Sequence, residues 1–119
     1  MSKHIKKAIE IARSLDSAAK QRVCAIITDK KGRIISIASN SYEKSSPVMY
    51  RYAKHVGLDD KIYWHAECRA IHQLQNKKRA HKIYVARVTK SDKVGLAAPC
   101  PICAAAIKES GISLVEFTV

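Results

Sequence analysis

The chain has 119 residues, 47% of them hydrophobic, which suits one domain with a single buried core. No apolar run approaches the ~20 residues of a membrane span, so we expect a soluble protein with no membrane partner. Lysine and arginine outnumber aspartate and glutamate by 22 to 10, giving a net charge of +12. This charge favours partners that carry phosphate, although a solvated basic surface is the simpler explanation.

The chain has four cysteines, at positions 24, 68, 100 and 103. The first residues are polar and lack the apolar stretch of a secretory signal, so we expect a reducing, cytoplasmic location and no disulfides. Cys24 lies in an apolar run and is expected in the core. Cys68 is expected to pack behind a helix.

The first half of the chain predicts a helix and then a β-hairpin. Apolar residues recur at helical spacing from His4 to about Leu15. Residues 23–28 and 33–39 are apolar runs separated by a turn, as in a hairpin. Asn40 follows in a polar loop. Residues 43–61 predict a loop and a short helix that form one wall of a pocket.

The second half alternates helices and strands. The predicted elements are a helix over 65–76, a strand over 82–88, a polar loop over 89–98, a helix over 100–110 ended by Gly111, and a strand over 113–119. The whole order is α-β-β-α-β-α-β. It predicts an α/β fold with a sheet of about four strands.

Three side chains in this framework are suited to zinc, namely His65, Cys100 and Cys103. Three protein ligands leave the fourth tetrahedral position to water, which is typical of catalytic rather than structural zinc. The two cysteines are three residues apart at a predicted helix start, where free N–H groups and the helix dipole favour thiolates. A structural zinc knuckle or buried thiols are the alternatives.

Glu67 lies two residues after His65 and is the candidate proton carrier. On a regular helix, side chains two residues apart point in nearly opposite directions. Both can therefore reach one metal only if the helix begins at this point. A purely structural zinc site has no use for this carboxylate.

The H-A-E motif at 65–67, followed by P-C-P-I-C at 99–103, resembles the cytidine and deoxycytidylate deaminase superfamily of zinc-dependent nucleobase deaminases. The resemblance covers nearly the whole chain. It implies a single CMP/dCMP-type deaminase domain over 1–119, folded as a three-layer α/β/α sandwich. The family sheet has five strands, whereas four are counted here. An uncovered edge strand would favour a homo-oligomer.

The resemblance also implies roles for the site residues. Zn²⁺ would be held by the imidazole and the two thiolates named above, and Glu67 would carry protons from the attacking water to the base and the leaving amine. Asn40 would hydrogen-bond the bound nucleoside, and Ala66 would donate its backbone N–H to the base carbonyl. The alternative for Asn40 is an asparagine that only shapes a turn.

The leading functional hypothesis is hydrolytic deamination of a cytosine nucleoside or nucleotide, such as cytidine, deoxycytidine, CMP or dCMP, to the uracil product and ammonia. A second hypothesis keeps the chemistry but places the base within tRNA or single-stranded DNA, which the positive charge favours. A third is a non-catalytic, zinc-stabilised binding module. The sequence leaves the sugar, the phosphate and the oligomer size open.

Overall fold

The structure is a computed structural model that describes residues 2–15, 22–45 and 63–119, with the backbone alone at 41–45 and 63–64. Most of the loop and short helix predicted over 43–61 therefore lies outside the described residues. Within the described ranges, no helix combines the length and the apolar character needed to cross a membrane.

Three helices and seven strands make up the described chain, together with a short 3-10 helix at Lys77–Arg79. They are α1 (Lys3–Ser14), β1 (Arg22–Thr28), β2 (Ile34–Ser39), β3 (Ser41–Ser45), β4 (Tyr63–Trp64), α2 (Ala66–His72), β5 (Lys82–Val88), β6 (Val94–Gly95), α3 (Pro101–Ser110) and β7 (Leu114–Phe117).

The main sheet has five strands in which β1 lies between β2 and β5 and is antiparallel to both. Two strands share the other edge of β5: β7 pairs in parallel with its first half, and the short β6 pairs in antiparallel fashion with its end. Arg22 lies opposite Val88, and Thr28 lies opposite Lys82. The sheet therefore has two distinct ends, one marked by each of these pairs. Strands β3 and β4 form a separate two-stranded sheet.

Both faces of the main sheet are covered, because successive residues of β1 point to opposite sides. Cys24 and Ile26 pack with α1, whose buried side includes Ile5 and Ile9. Ala25 and Ile27 belong to the other core cluster, which contains the buried residues of α2 and α3. The result is the predicted three-layer α/β/α sandwich, with two helices on one face and one on the other.

Helix α2 is shorter than predicted. It ends at His72, not near Asn76, and the 3-10 helix follows. Beyond Ile71 the apolar spacing fades, since Gln73 and Gln75 are exposed and only Leu74 is half-buried. Asn76 caps the 3-10 helix by accepting a hydrogen bond from the Lys78 N–H at 3.1 Å. Asparagine favours such caps over helix interiors, which explains the early stop.

The segment predicted as a polar loop over 89–98 contains β6, which raises the strand count from about four to five. The guanidinium of Arg22 is buried and donates to the Thr89 carbonyl at 2.7 Å and to the Asp92 carboxylate at 2.6 Å. Asp92 has a positive φ of 61°, a left-handed conformation that aspartate adopts more readily than most residues. A side chain of β1 thus closes the turn that returns the chain to β5. The sequence of the turn itself does not predict this contact.

Strand β7 lies at the edge of the sheet, and Leu114, Val115 and Phe117 are exposed along it. Exposed apolar edge strands favour pairing with another chain. A homo-oligomer stays a prediction, which light scattering behind size-exclusion chromatography would check.

Candidate metal centre

His65 is the N-cap of α2, with an extended backbone (φ −84°, ψ 148°). It follows β4, in which Trp64 pairs with Ser41, just beyond the end of β2. One turn into α2, the Arg69 guanidinium donates to the Ser39 carbonyl at 3.2 Å, which ties the helix to the same strand end. The imidazole is therefore placed at the end of the sheet where β2 finishes.

Cys100 is the N-cap of α3, and Pro101 is the first helical residue. Proline suits this position because its φ is already helical and it has no N–H to satisfy. The preceding β6 pairs with the last residues of β5, so α3 starts at the same end of the sheet as α2. Neither His65 nor Cys100 makes a side-chain cap to its own helix. The side chains of these two N-cap residues instead lie close together, at the end of the sheet where both helices begin.

The donor atoms of His65, Cys100 and Cys103 all lie within 4.8 Å of one another. The His65 Nδ1 atom is 3.2 Å from the Cys103 sulfur and 3.4 Å from the Cys100 sulfur. In a tetrahedral site with Zn–N bonds of about 2.0 Å and Zn–S bonds of about 2.3 Å, the ligand nitrogen and sulfur lie about 3.5 Å apart. The three side chains therefore fit zinc with little movement.

The two sulfurs of this cluster differ in protonation. A hydrogen bond from the Cys103 thiol, assisted by His65, lowers the pKa of Cys100 to about 4. The same bond, followed by the contact with Cys68 and by burial, raises the pKa of Cys103. The lowered pKa favours the thiolate form of Cys100, and Cys103 gives up its proton when it binds a metal.

Glu67 is the second residue of α2, and only 7% of its surface is exposed. Burial raises the pKa of its carboxyl, while its own backbone N–H and the neighbouring His65 partly oppose the shift. Because α2 begins at Ala66, His65 approaches from the cap as Glu67 stays in the first turn, beside Cys103. The structure thus meets the requirement that the helix begin here. A buried carboxyl with a raised pKa is suited to exchanging protons near neutral pH.

The structure places Ala66 and Asn40 at the same end of the sheet. Ala66 is buried as the first residue of α2, and its N–H has no acceptor within that helix. Asn40 follows β2, and its Oδ1 accepts a hydrogen bond from the Val23 N–H at 3.0 Å. This bond extends the pairing of β1 and β2 and gives Asn40 a structural task that its position in the sequence did not reveal.

Cys68 is in closer contact with the cluster than predicted. Its side chain is buried behind α2, as expected, but its sulfur lies 3.5 Å from the Cys103 sulfur. The spacing of three residues from His65 places Cys68 on the same side of the helix start. That spacing was the available signal, although it could not show which sulfur of α3 would be reached.

The sequence model described as the cytidine and deoxycytidylate deaminase zinc-binding region matches residues 1–119. A search of curated proteins found no match. The family and the three-residue donor cluster together support Zn²⁺ as the cofactor.

Proposed function

Because this chain belongs to the cytidine and deoxycytidylate deaminase family, we propose that it deaminates a cytosine nucleoside or nucleotide to the uracil product and ammonia. The family and the donor cluster support zinc-dependent deamination in general. The choice of a free cytosine nucleoside or nucleotide as substrate is our proposal, as is the assignment of residues 1–119 to one catalytic domain.

One observation carries the proposal: three zinc-type donors converge at the starts of two helices with a buried carboxyl beside them. His65, Cys100 and Cys103 supply the donors, and Glu67 supplies the carboxyl. A structural zinc site is closed by four protein ligands, and within the described chain this cluster contains three. The carboxyl next to an incomplete ligand set supports catalysis over a structural role.

We assign the roles as follows. Zn²⁺ supplies a Lewis acid that activates water at neutral pH. Glu67 accepts one proton from the attacking water and passes it to ring atom N3 as the water oxygen adds at C4, and it then passes the remaining proton of the added hydroxyl to the amine, which leaves as ammonia. The raised pKa of Glu67 supports this exchange, because a carboxyl with an ordinary pKa holds protons poorly at pH 7.

Two further groups position the substrate in this proposal. Ala66 donates its backbone N–H to the base carbonyl from the first turn of α2, where the helix dipole also favours a partial negative charge. Asn40 hydrogen-bonds the nucleoside while its Oδ1 remains bonded to Val23. The bond to β1 would fix the amide before the substrate arrives.

The test is to incubate the zinc-loaded protein separately with cytidine, deoxycytidine, CMP, dCMP and a cytosine-containing oligonucleotide, and to measure ammonia and uracil products. We expect turnover of at least one monomer. Glu67→Gln should remove it, whereas the exposed Glu109→Gln serves as a matched control and should turn over normally.

Two results would overturn the proposal. Efficient deamination of the oligonucleotide with no activity on monomers would move the substrate to a polynucleotide. Zinc retention without turnover of any cytosine substrate would favour the non-catalytic binding module.

A further inference from the structure

Two short segments far apart in the sequence bring together a dense group of cations. We call this group the basic pole and define it by six exposed side chains: Lys30, Lys31, Arg33, Lys77, Lys78 and Arg79. The first three lie in the turn between β1 and β2, and the others form the 3-10 helix. The carboxylate that joins the two segments belongs to Asp29, which is buried.

The fold holds these segments in place on either side of a strand pair. Thr28, the last residue of β1, lies opposite Lys82, the first residue of β5. The His81 N–H donates to the Thr28 carbonyl at 2.9 Å. The turn that follows β1 and the 3-10 helix that precedes β5 therefore meet at one end of the sheet.

Asp29 orients both arginines of the basic pole. Its carboxylate accepts from Arg33 Nε at 3.2 Å and from Arg79 Nη2 at 3.5 Å. It also accepts the backbone N–H groups of Lys31 and Arg33, both at 2.9 Å, which fixes the turn. The Arg33 and Arg79 side chains nevertheless remain 65% and 55% exposed. Each guanidinium is thus anchored on one side and open to an external anion on the other.

The basic pole lies at the opposite end of the sheet from the metal centre. The metal centre is at the end marked by Arg22 and Ser39, and the pole is at the end marked by Thr28. The seven residues of β1 join the two ends, a length of about 20 Å at the usual rise of a strand. A ligand on the pole does not need to enter the zinc site.

Helix α1 extends the positive surface. His4 Nε2 donates to the Gly32 carbonyl at 2.8 Å, which places the start of α1 beside the turn of the basic pole. Lys3, Lys6 and Lys7 are exposed in the first two turns, and the first turn contains no acidic residue. The helix dipole favours acids at this position. The helix dipole therefore does not account for Lys3 and Lys6 in the first turn, whereas an anionic partner would.

We propose that the basic pole binds the phosphate backbone of nucleic acid, at a site separate from the zinc centre. Phosphates match the chemistry, because guanidinium forks bind them in a fixed orientation and neighbouring lysines neutralise successive charges. The two segments, D-K-K-G-R at 29–33 and N-K-K-R at 76–79, contain no bulky apolar residue. Surfaces that insert into membranes pair their cations with such residues, so nucleic acid is the better match.

The test measures binding of a fluorescent oligothymidylate of twenty nucleotides by anisotropy between 50 and 200 mM salt. Thymine has no exocyclic amine, so the probe cannot be deaminated during the measurement. Vesicles with and without phosphatidylserine are measured in parallel. We expect binding to the oligonucleotide with a log–log salt slope steeper than about −2, as for three or more phosphates on a single strand. We expect no preference for the anionic vesicles.

Three double variants remove the same charge. K30Q/K31Q and K77Q/K78Q lie in the basic pole, and all four of these lysines are exposed. K90Q/K93Q is the matched control in the turn before β6, at the zinc end of the sheet. Each pole variant should weaken binding about tenfold and make the slope shallower by about 1.4, the value for two phosphates. The affinity of the control variant for the oligonucleotide should stay within about twofold of that of the wild-type protein.

Several results would overturn the proposal. One is absence of oligonucleotide binding at 50 mM salt. Another is an equal loss in all three variants, which would make net charge the whole cause. Binding to anionic vesicles without binding to the oligonucleotide would assign the surface to a membrane. Two independent pole variants protect the test if one of them fails to fold, and binding is measured without reference to deamination.

Discussion

The two ends of the sheet are built from the same elements but are suited to opposite tasks. Helix α2 begins at the metal centre, and the chain that leaves it forms half of the basic pole. At the metal centre Cys103 is fully buried and Glu67 is nearly so, whereas at the pole Arg33 is 65% exposed. Burial shifts pKa values and supports chemistry, while exposure leaves charge available for binding.

The net charge of +12 is therefore not concentrated at the candidate metal centre. The cations of the basic pole lie about one strand length, roughly 20 Å, from the candidate metal centre. Beyond a Debye length of about 8 Å, salt screens most of their effect at physiological ionic strength. Catalysis and polyanion binding should therefore be separable by mutation, which the following experiments examine.

The largest expected effect is at Glu67. Glu67→Gln keeps the size of the side chain but cannot exchange protons, so kcat should fall about a thousandfold or more. Zinc content and melting temperature should stay near those of the unchanged protein. Turnover close to normal in Glu67→Gln would remove Glu67 from the mechanism. As a control in the same assay, the K77Q/K78Q variant should show normal kcat.

Loss of a ligand sulfur should be nearly as severe for the metal. Cys103→Ser and Cys100→Ser should lower zinc from about one per chain to a small fraction, measured by elemental analysis after dialysis. Cys24→Ala is the matched control, because Cys24 is buried on the other face of the sheet and should leave zinc content unchanged. Full zinc retention in both serine variants would place the metal elsewhere.

Asn40 should give an intermediate effect that separates its two tasks. Asn40→Ala removes the acceptor for the Val23 N–H and should cost about 1–3 kcal/mol of stability. Asn40→Asp keeps that acceptor but loses the amide donors. We expect kcat/KM for the nucleotide to fall about tenfold in both variants, since one substrate hydrogen bond is lost, and thermal stability to fall mainly in Asn40→Ala. A fully active Asn40→Asp would exclude a substrate contact by the side-chain amide and leave Asn40 with its structural role alone.

A smaller effect is expected from salt on turnover of a free nucleotide. One phosphate predicts a slope near −1 or shallower, so kcat/KM should fall by no more than about fourfold between 50 and 200 mM salt. Oligonucleotide binding at the basic pole should fall by at least about sixteenfold over the same range. Equal salt dependence of the two processes would contradict their separation.

An effect on stability alone concerns Cys24, the buried thiol beneath α1. Burial raises its pKa to about 12, against about 8.5 for an unfolded cysteine. A raised folded pKa stabilises the protein fully below pH 8.5, and this contribution is lost as pH rises toward 12, by at most about 1.4 kcal/mol per pH unit. Denaturation from pH 8 to 10 should show a shallower loss of stability in Cys24→Ala. In the native protein, Cys24 should also resist iodoacetamide at pH 8.

Much of the fold could be predicted because its signals are local. The apolar spacing of α1, the strand β5 and the glycine after α3 all describe how a segment buries one side or ends. The zinc motif was also readable, because H-A-E and P-C-P-I-C specify residue types at helix starts. The helix starts were wrong by one residue, because His65 and Cys100, predicted as the first helical residues, are the N-caps just before the two helices.

Periodicity and composition are properties of segments, so the amino-acid sequence alone predicted most of the helices and strands, the donor types and the positive charge, while the three layers were implied by the family resemblance. Contacts between distant segments became visible only in the folded chain. Arg22 closes the turn that creates β6, Cys68 reaches the Cys103 sulfur, and Asp29 joins two basic segments into one pole. The physical reason is that a short segment fixes its own periodicity and caps, whereas a buried ion pair or a sulfur contact exists only after the sheet has set the distance between its partners.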